Sequence, residues 1–486
     1  MKILLIGCGF VGERAADLFH AAGHQVFGVT HSPSSAERLA SLKPWSVLAC
    51  DVSSAASVQA LREQTGPVDA FIHCASSSKG GAEMYQAVYV DGMTHLLGAY
   101  PQAWPLYTSS TSVYPQVDGS TVDETSPAQP DKETGRLLRA AEELALTNGG
   151  AVARLAGIYG PGRSFLLKNL LEGNSGIETN EGAPDGRLLN QIHADDAASA
   201  LLHLVTSKLS GIYNVVDDAR MTQRDCLEKL APLFNLPAPG IKPPDANRKR
   251  GWTHKHVSNA KLRSTGWTPS FPDYFTTLEK DPLLASSILQ LVIDNPESDL
   301  PRAQNIVLIG LMGSGKSTVG RIVAQMLNFQ FVDTDHRIAD QAGCSIPEIF
   351  AREGESGFRV RESAVLRQLL GLKHTVIATG GGIITRPENH PLLKHLGFIT
   401  WLEADTSLLA RRTASNNERP LLRGEEPPLE KLKRLIQERA PLYKSLADLR
   451  IQTDELSQEE SAYGVTESAR IFFARRQQTA SEFTAP

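Results

Sequence analysis

Short apolar runs recur along this chain, each followed by a polar turn and a stretch with helical spacing. Lys2–Ile6 is the first, Glu13 to Ala22 is the amphipathic stretch after it, and Gln25–Thr30 is the second run. The pattern continues through Ser46 to Cys50, Ala70 to Cys74, Leu106 to Ser109 and Val152 to Leu155. Strands that are apolar at nearly every position suit burial on both faces, and their alternation with helices predicts a doubly wound parallel sheet. The alternation restarts after residue 304 with Asn305 to Ile309, Phe329 to Val332, Thr375 to Thr379, Phe398 to Leu402 and Leu449 to Gln452. Between the two sets, Pro282 to Ile293 predicts one more helix. Residues 294–304 are polar, carry Pro296 and Pro301, and have no periodicity, as a linker would. The expected class is therefore α/β with two doubly wound parallel-sheet domains, 1–293 and 305–486, joined by 294–304.

Composition narrows the function classes. The 486 residues suffice for two or three domains, and a net charge of -5 gives no basic surface for nucleic acid or anionic lipid. Cys8, Cys50, Cys74, Cys226 and Cys344 show no metal or disulfide spacing, as in a reducing compartment. Glycines and charges break the first apolar run before a signal core could form, and Leu283 to Ile293 is too short to span a bilayer. The expectation is a soluble cytoplasmic protein with small-molecule ligands and neither nucleic-acid nor membrane partner. The oligomeric state is not legible.

The most informative stretch is Gly310-Leu-Met-Gly313-Ser314-Gly315-Lys316-Ser317, set between a strand and a helix that begins near Thr318. Glycines let the backbone close round a polyphosphate, and the following helix points its positive end at the same charge. Lys316 would reach the outer phosphates and the Ser317 hydroxyl would ligand Mg²⁺. Seventeen residues beyond Lys316, a strand ends in Asp333-Thr334-Asp335. Two carboxylates one residue apart on a strand share a face, so one could support Mg²⁺ through water while the other activates an alcohol.

A second glycine pattern, Gly7-Cys8-Gly9-Phe10-Val11-Gly12, stands between Lys2–Ile6 and its helix. Gly7 would permit the turn, Gly9 would let a pyrophosphate approach the backbone, and Gly12 would allow helix and strand to pack closely. Thr30-His31-Ser32 follows the second strand where an NAD site usually has an acid for the ribose, which leans towards NADP(H) over NAD(H), or towards no dinucleotide at all.

With Asp51-Val52, Asp69 to Ala75, Tyr107 to Tyr114, Arg154 to Gly162 and Ile192 to Asp196, residues 1 to 280 resemble the NAD(P)-dependent epimerase/dehydratase branch of the extended short-chain dehydrogenases. The resemblance implies a Rossmann fold with a small substrate subdomain that includes Tyr213 to Asp217 and Ser258 to Trp267. It also implies dinucleotide contacts from Gly7, Gly9, Gly12 and Asp51. The family's Tyr-x-x-x-Lys pair is replaced by Thr134 and Leu138, so Ser110, which matches the family's serine, lacks its usual base. The domain is expected to bind a dinucleotide or related ligand without the family's redox step. An NADP-dependent sugar-nucleotide epimerase or reductase is the alternative for this half.

In the second half come Gly357-Phe358-Arg359 with Glu362, Gly380-Gly381-Gly382, Arg411 to Gly424 with Arg419-Pro420-Leu-Leu, and Glu438-Arg439-Ala-Pro-Leu-Tyr443. Together with the phosphate loop and the acidic pair, these make residues 303 to 470 similar to shikimate kinase. The resemblance implies a P-loop kinase fold with a lid, ATP and Mg²⁺ as co-substrate and cofactor, and shikimate as substrate. Asp335 would hold the ring hydroxyls and serve as base, Arg359 and Arg439 would grip the carboxylate, and Gly381 would add a backbone contact. Gly313, Ser314, Gly315, Lys316, Ser317, Thr318 and Arg419 would hold ATP, with Lys316 and Arg419 meeting charge on the transferring phosphoryl. Ser317 would ligand Mg²⁺ with Asp333 behind it, and Arg412 would lie near the adenine. Adenine contacts within Gln452 to Ser457 are not assignable from sequence. A gluconate kinase-like enzyme or a nucleotide-dependent regulatory module are the competing readings.

Overall fold

The structure is a computed structural model that describes residues 1–77, 80–244, 252–296, 298, 300–414 and 426–483. The chain divides into two compact units. The first comprises Met1–Ser164, Gly176–Leu227 and Pro239–Thr277, and the second Phe165–Ser175, Glu228–Ala238 and Leu278–Pro486. The division therefore differs from a single cut in the stretch 294–304.

In the first unit, seven parallel strands form one sheet in the order Gly211–Val215, Ala151–Leu155, Trp104–Ser110, Ala70–His73, Lys2–Ile6, Gln25–Thr30, Ser46–Ala49. Ile3 to Ile6 are fully buried, as their unbroken apolar run requires. Sequence order reverses on either side of Lys2–Ile6, which is the position where open α/β sheets leave a crevice at their strand C-termini. One expectation is corrected here. Tyr213 to Val215 do not belong to a separate small subdomain but lie in an edge strand paired with Ala151–Leu155, and the buried side chains of Tyr213 and Val215 extend the sheet core. Two-residue ladders such as Leu188–Leu189 with Met221–Thr222 lie outside that sheet.

The second unit has five parallel strands in the order Gln330–Asp333, Thr375–Ala378, Ile306–Ile309, Phe398–Glu403, Leu449–Gln452. Ile306–Ile309 is central, so the loop after it opens at the middle of the sheet's C-terminal edge. The helix that follows, Lys316–Leu327, buries Val319, Val323 and Ala324 with Val465 and Ala469 of the helix Gln458–Phe483. Among the described residues no helix is long and apolar enough to cross a membrane.

Candidate active site

The loop between Ile306–Ile309 and Lys316–Leu327 turns three times through left-handed backbone, with φ of +143° at Gly310, +81° at Gly313 and +90° at Gly315. A side chain on Gly310 would also run into the Leu402 carbonyl. Glycine is required at both levels, conformation and space. Lys316 begins the helix, only 9% exposed, and its ammonium donates to the carbonyls of Gly310 and Leu311, both at 2.8 Å. The charge is thereby held along the inner rim of the loop.

Ser317 donates its hydroxyl to Asp333 Oδ2 at 2.6 Å, and Asp333 Oδ1 accepts the Asp335 N–H at 3.0 Å. One carboxylate thus caps the helix Thr334–Ala342 and steadies the Ser317 oxygen. A hydroxyl and a carboxylate are hard oxygen donors of the kind Mg²⁺ takes, so the pair fits that ion. The expected geometry of the acidic pair is corrected. The strand stops at Asp333, and Asp335 sits in the first turn of the next helix. The two carboxylates reach one cleft because the helix turns Asp335 inward, not through strand alternation.

Arg359 and Glu362 lie on the helix Ile346–Gln368, beyond a break at Gly354 whose φ is +70°. Arg359 donates Nη1 to Glu362 Oε2 at 2.5 Å and Nη2 to Glu355 Oε1 at 2.7 Å. Glu362 is fully buried. Burial pushes its carboxyl up to about 7 against the pull of Arg359, and nearby Asp335 pushes the same way. The turn Gly380–Gly382, at the end of Thr375–Ala378, lets these groups approach. A methyl on Gly380 would meet Glu362 Oε1 and come within 2.8 Å of Asp335 Oδ1, and one on Gly382 would meet the Arg359 guanidinium. From the helix Pro428–Leu446, Arg439 donates to the Gly381 carbonyl at 3.1 Å and Tyr443 donates to the same oxygen at 2.5 Å.

These elements enclose a cleft of about 420 Å³. Gly313, Ser314, Gly315, Lys316, Ser317, Thr318, Asp333, Asp335, Arg359, Gly381 and Arg412 all line it, so most residues singled out from sequence meet in one place. Arg439 stands behind the wall, holding Gly381. Arg419 lies outside the described residues. The segment Gln452 to Ser457, left unassigned from sequence, supplies Thr453, Leu456 and Ser457 to the cleft lining, and Gln458 and Ser461, which the sequence reading missed, line it as well. No residue type there carries a chemical signature, and only the packing of the last helix brings them in.

In the first unit, Gly7 turns at φ +95° and a side chain on it would collide with Ala75; one on Gly12 would strike the Gly7 carbonyl and come within 2.9 Å of Leu5. A methyl on Gly9 would meet nothing within 4 Å, leaving the backbone open to a ligand. These three positions fit a dinucleotide pyrophosphate. Asp51 accepts the Ser53 N–H at 3.0 Å and hydroxyl at 2.7 Å, which hold its carboxyl below the usual range, and His31 lies 3.8 Å away. Thr134 and Leu138 share one face of the helix Glu133–Thr147 and line a cavity of about 130 Å³ with Tyr85, Ser112 and Trp252. Ser110 Oγ accepts the Ser112 N–H at 3.2 Å.

Residues 312–470 match the family model of shikimate kinase, and residues 3–215 match that of the NAD dependent epimerase/dehydratase family. The shikimate kinase of Neisseria gonorrhoeae is 46% identical over 148 residues, 30% of this chain and 86% of that protein. The chain belongs to the shikimate kinase family. The shikimate kinase of Hahella chejuensis is 47% identical over 151 residues, covering 31% of this chain and 78% of its own length. Among solved structures, shikimate kinase from Acinetobacter baumannii in complex with shikimate is 42% identical, covering 34% of this chain and 90% of that one with a TM-score of 0.33. UDP-glucose 4-epimerase from Thermus thermophilus in complex with NAD is 20% identical, covering 59% and 99%, with a TM-score of 0.49.

Proposed function

We propose that the second unit phosphorylates shikimate to shikimate 3-phosphate with ATP, and that the 305–486 stretch carries the catalytic residues. The observation that carries this reading is the convergence of a phosphate loop, a carboxylate at Asp335 and a buried guanidinium at Arg359 on one cleft. A gluconate-type acceptor would not call for two arginines round the triple-glycine turn, and a regulatory switch would have no use for Asp335.

Arg359 grips the substrate carboxylate, since a planar guanidinium fork matches carboxylate oxygens and fixes orientation, while Arg439, expected from sequence to share that grip, holds the Gly381 turn beside it. Because the Gly381 carbonyl already accepts from Arg439 and Tyr443, Gly381 offers the substrate its N–H. Asp335 orients the ring hydroxyls and accepts the proton of the attacking one. As the new O–P bond forms, the bond from the γ-phosphorus to the bridging oxygen breaks and ADP departs. Lys316 and Arg419 meet the charge on the transferring phosphoryl, and Gly313, Ser314, Gly315 and Thr318 hold the polyphosphate. Ser317, with Asp333 behind it, would hold Mg²⁺, which would supply positive charge against the phosphates. Positioning and electrostatics supply most of the acceleration in such a reaction. Arg412, whose Nη1 donates to the Gly313 carbonyl at 3.4 Å, would meet the adenine side of the nucleotide.

For the first unit we propose binding of NADP(H) or NAD(H) by the loop Gly7 to Gly12 with Asp51, without the family's proton relay. Leu138 is buried and apolar where the ammonium would stand, and Thr134 offers only a hydroxyl of high pKa. The scattered positions of Cys8, Cys50, Cys74, Cys226 and Cys344, without disulfide or metal spacing, support a cytoplasmic location.

The deciding experiment measures shikimate-dependent ADP formation by the full chain, with and without NADP(H). Asp335→Asn is expected to abolish turnover while nucleotide binding persists. No ADP release on adding shikimate to the unmodified protein overturns the reading.

A further inference from the structure

The helix Ile346–Gln368 and the strand Thr375–Ala378 carry the two halves of the proposed substrate grip: Arg359 and Glu362 on one, the turn Gly380–Gly382 after the other. What joins them is the short connection 369–374. It is an awkward piece of chain. His374 takes a left-handed φ of +51°, and the carbonyls at the end of a helix need donors from elsewhere.

Those donors come from far away in sequence. In the segment Glu228–Ala238 of the same compact unit, Asn235 adopts φ +58° and points its amide at the connection. Its Nδ2 donates to the Leu370 carbonyl at 3.1 Å and to the Leu372 carbonyl at 2.6 Å. Both hydrogens of one amide are thereby used on one turn. The Leu372 carbonyl also accepts from Asn305 Nδ2 at 2.7 Å, and Asn305 in turn accepts the Thr375 N–H at 3.0 Å and donates to the Leu396 carbonyl at 2.9 Å. Asn235 therefore completes a hydrogen-bonded frame that holds the end of the Arg359 helix, the start of the Gly380 strand and the end of the helix Asn389–Leu396. The frame is closed on its other side by buried His395, whose Nε2 lies 3.1 Å from the Phe234 carbonyl. Gly371 sits where a side chain would come within 3.0 Å of the Pro232 carbonyl, so the two segments are in close register.

We propose that Asn235, although outside the 312–470 stretch that matches shikimate kinase, is a positioning residue for substrate binding by this kinase: it fixes the 369–374 connection and so the spacing between Arg359 and the Gly380–Gly382 turn. The proposal rests on the shikimate reading of the cleft. It makes this frame a property of the present chain, since the family match begins well after Asn235. The frame meets the phosphate-loop strand only through Asn305, which keeps its own bonds to Leu372, Leu396 and Thr375 when Asn235 is changed, so the effect of losing Asn235 is expected on the shikimate side.

The test uses the full chain. Asn235→Gly keeps the left-handed backbone at no steric cost and removes only the two donors. It is expected to raise the KM for shikimate about three- to tenfold, with the KM for ATP unchanged. Asn235→Asp presents carboxylate oxygens to the two carbonyls and is expected to raise it further. Val465→Ala, a buried change between the phosphate-loop helix and the last helix, is the control that lowers thermal stability without moving the KM for shikimate. Hydrogen exchange over 370–375 gives an activity-independent readout: slow in the unmodified chain, fast in Asn235→Gly. The proposal is overturned by rapid exchange of that stretch in the unmodified chain. It is equally overturned if Asn235→Gly leaves the KM for shikimate unchanged, or raises both KM values in parallel. Should the unmodified chain show the slow exchange yet no shikimate-dependent ADP release, the substrate assignment fails and the frame stands.

Discussion

Asp333 does two jobs that a pair of substitutions can separate. Its Oδ1 caps the helix Thr334–Ala342 through the Asp335 N–H, and its Oδ2 accepts the Ser317 hydroxyl beside the proposed Mg²⁺ position. Asparagine caps helices about as well as aspartate, so Asp333→Asn should cost no more than about 0.5 kcal/mol of stability. It nonetheless removes a negative charge behind the ion, and losses of this kind weaken metal affinity or activity by about 10- to 100-fold. Asp333→Ala removes the charge and the cap together, and should add a stability loss of about 1 kcal/mol, within the range found for cap deletions. Thermal melts without nucleotide, beside ADP formation titrated with Mg²⁺, give both quantities. The expected result is two variants with the same raised Mg²⁺ requirement and different melting temperatures. Unchanged Mg²⁺ dependence in Asp333→Asn refutes the metal role, and equal destabilisation of the two variants refutes the capping argument.

Three further outcomes are expected. Arg359→Lys keeps a charge but loses the fork that meets Glu362 and Glu355 at once, so the KM for shikimate should rise about tenfold or more while that for ATP stays put; parallel changes in both would argue against a carboxylate grip. In the first unit, Gly9→Ala should leave the melting temperature unchanged and weaken dinucleotide binding, whereas Gly12→Ala should destabilise by about 1 to 3 kcal/mol because its methyl has no room; calorimetry and NADPH titration separate the two. Lys255 is buried, its Nζ donating to the Tyr114 carbonyl at 2.6 Å, and burial with Arg187 nearby lowers its amine to about 7. An unfolded lysine keeps its proton until about pH 10.4, so between those values the unfolded chain binds more protons and stability rises with pH. Lys255→Met should flatten that rise by about 1 kcal/mol per pH unit, and parallel pH dependence in the two proteins would show that Lys255 does not titrate there.

Local pattern was enough to place the strands and both glycine loops. A strand such as Ile306–Ile309 is legible because each apolar residue reports its own burial, and a phosphate loop is legible because its glycines, lysine and serine are neighbours in sequence. Arg359, Asp335 and Gly381 could be named from their motifs, but their meeting depends on the central position of Ile306–Ile309 in the sheet. Where the sequence argument relied on the wrong local geometry, at Asp333 and Asp335, the outcome survived because a helix turn replaced strand alternation. Gly211–Val215 became a sheet edge because Ala151–Leu155 offers an unpaired flank to it, a long-range fact with no local mark. The wall formed by Thr453, Leu456, Ser457 and Ser461, and the reach of Asn235 to Leu370 and Leu372, likewise have no signature in composition or spacing. Ordinary polar side chains acquire such roles only from what packing places opposite them, since a hydrogen bond is worth making only to the partner that burial would otherwise leave unpaired.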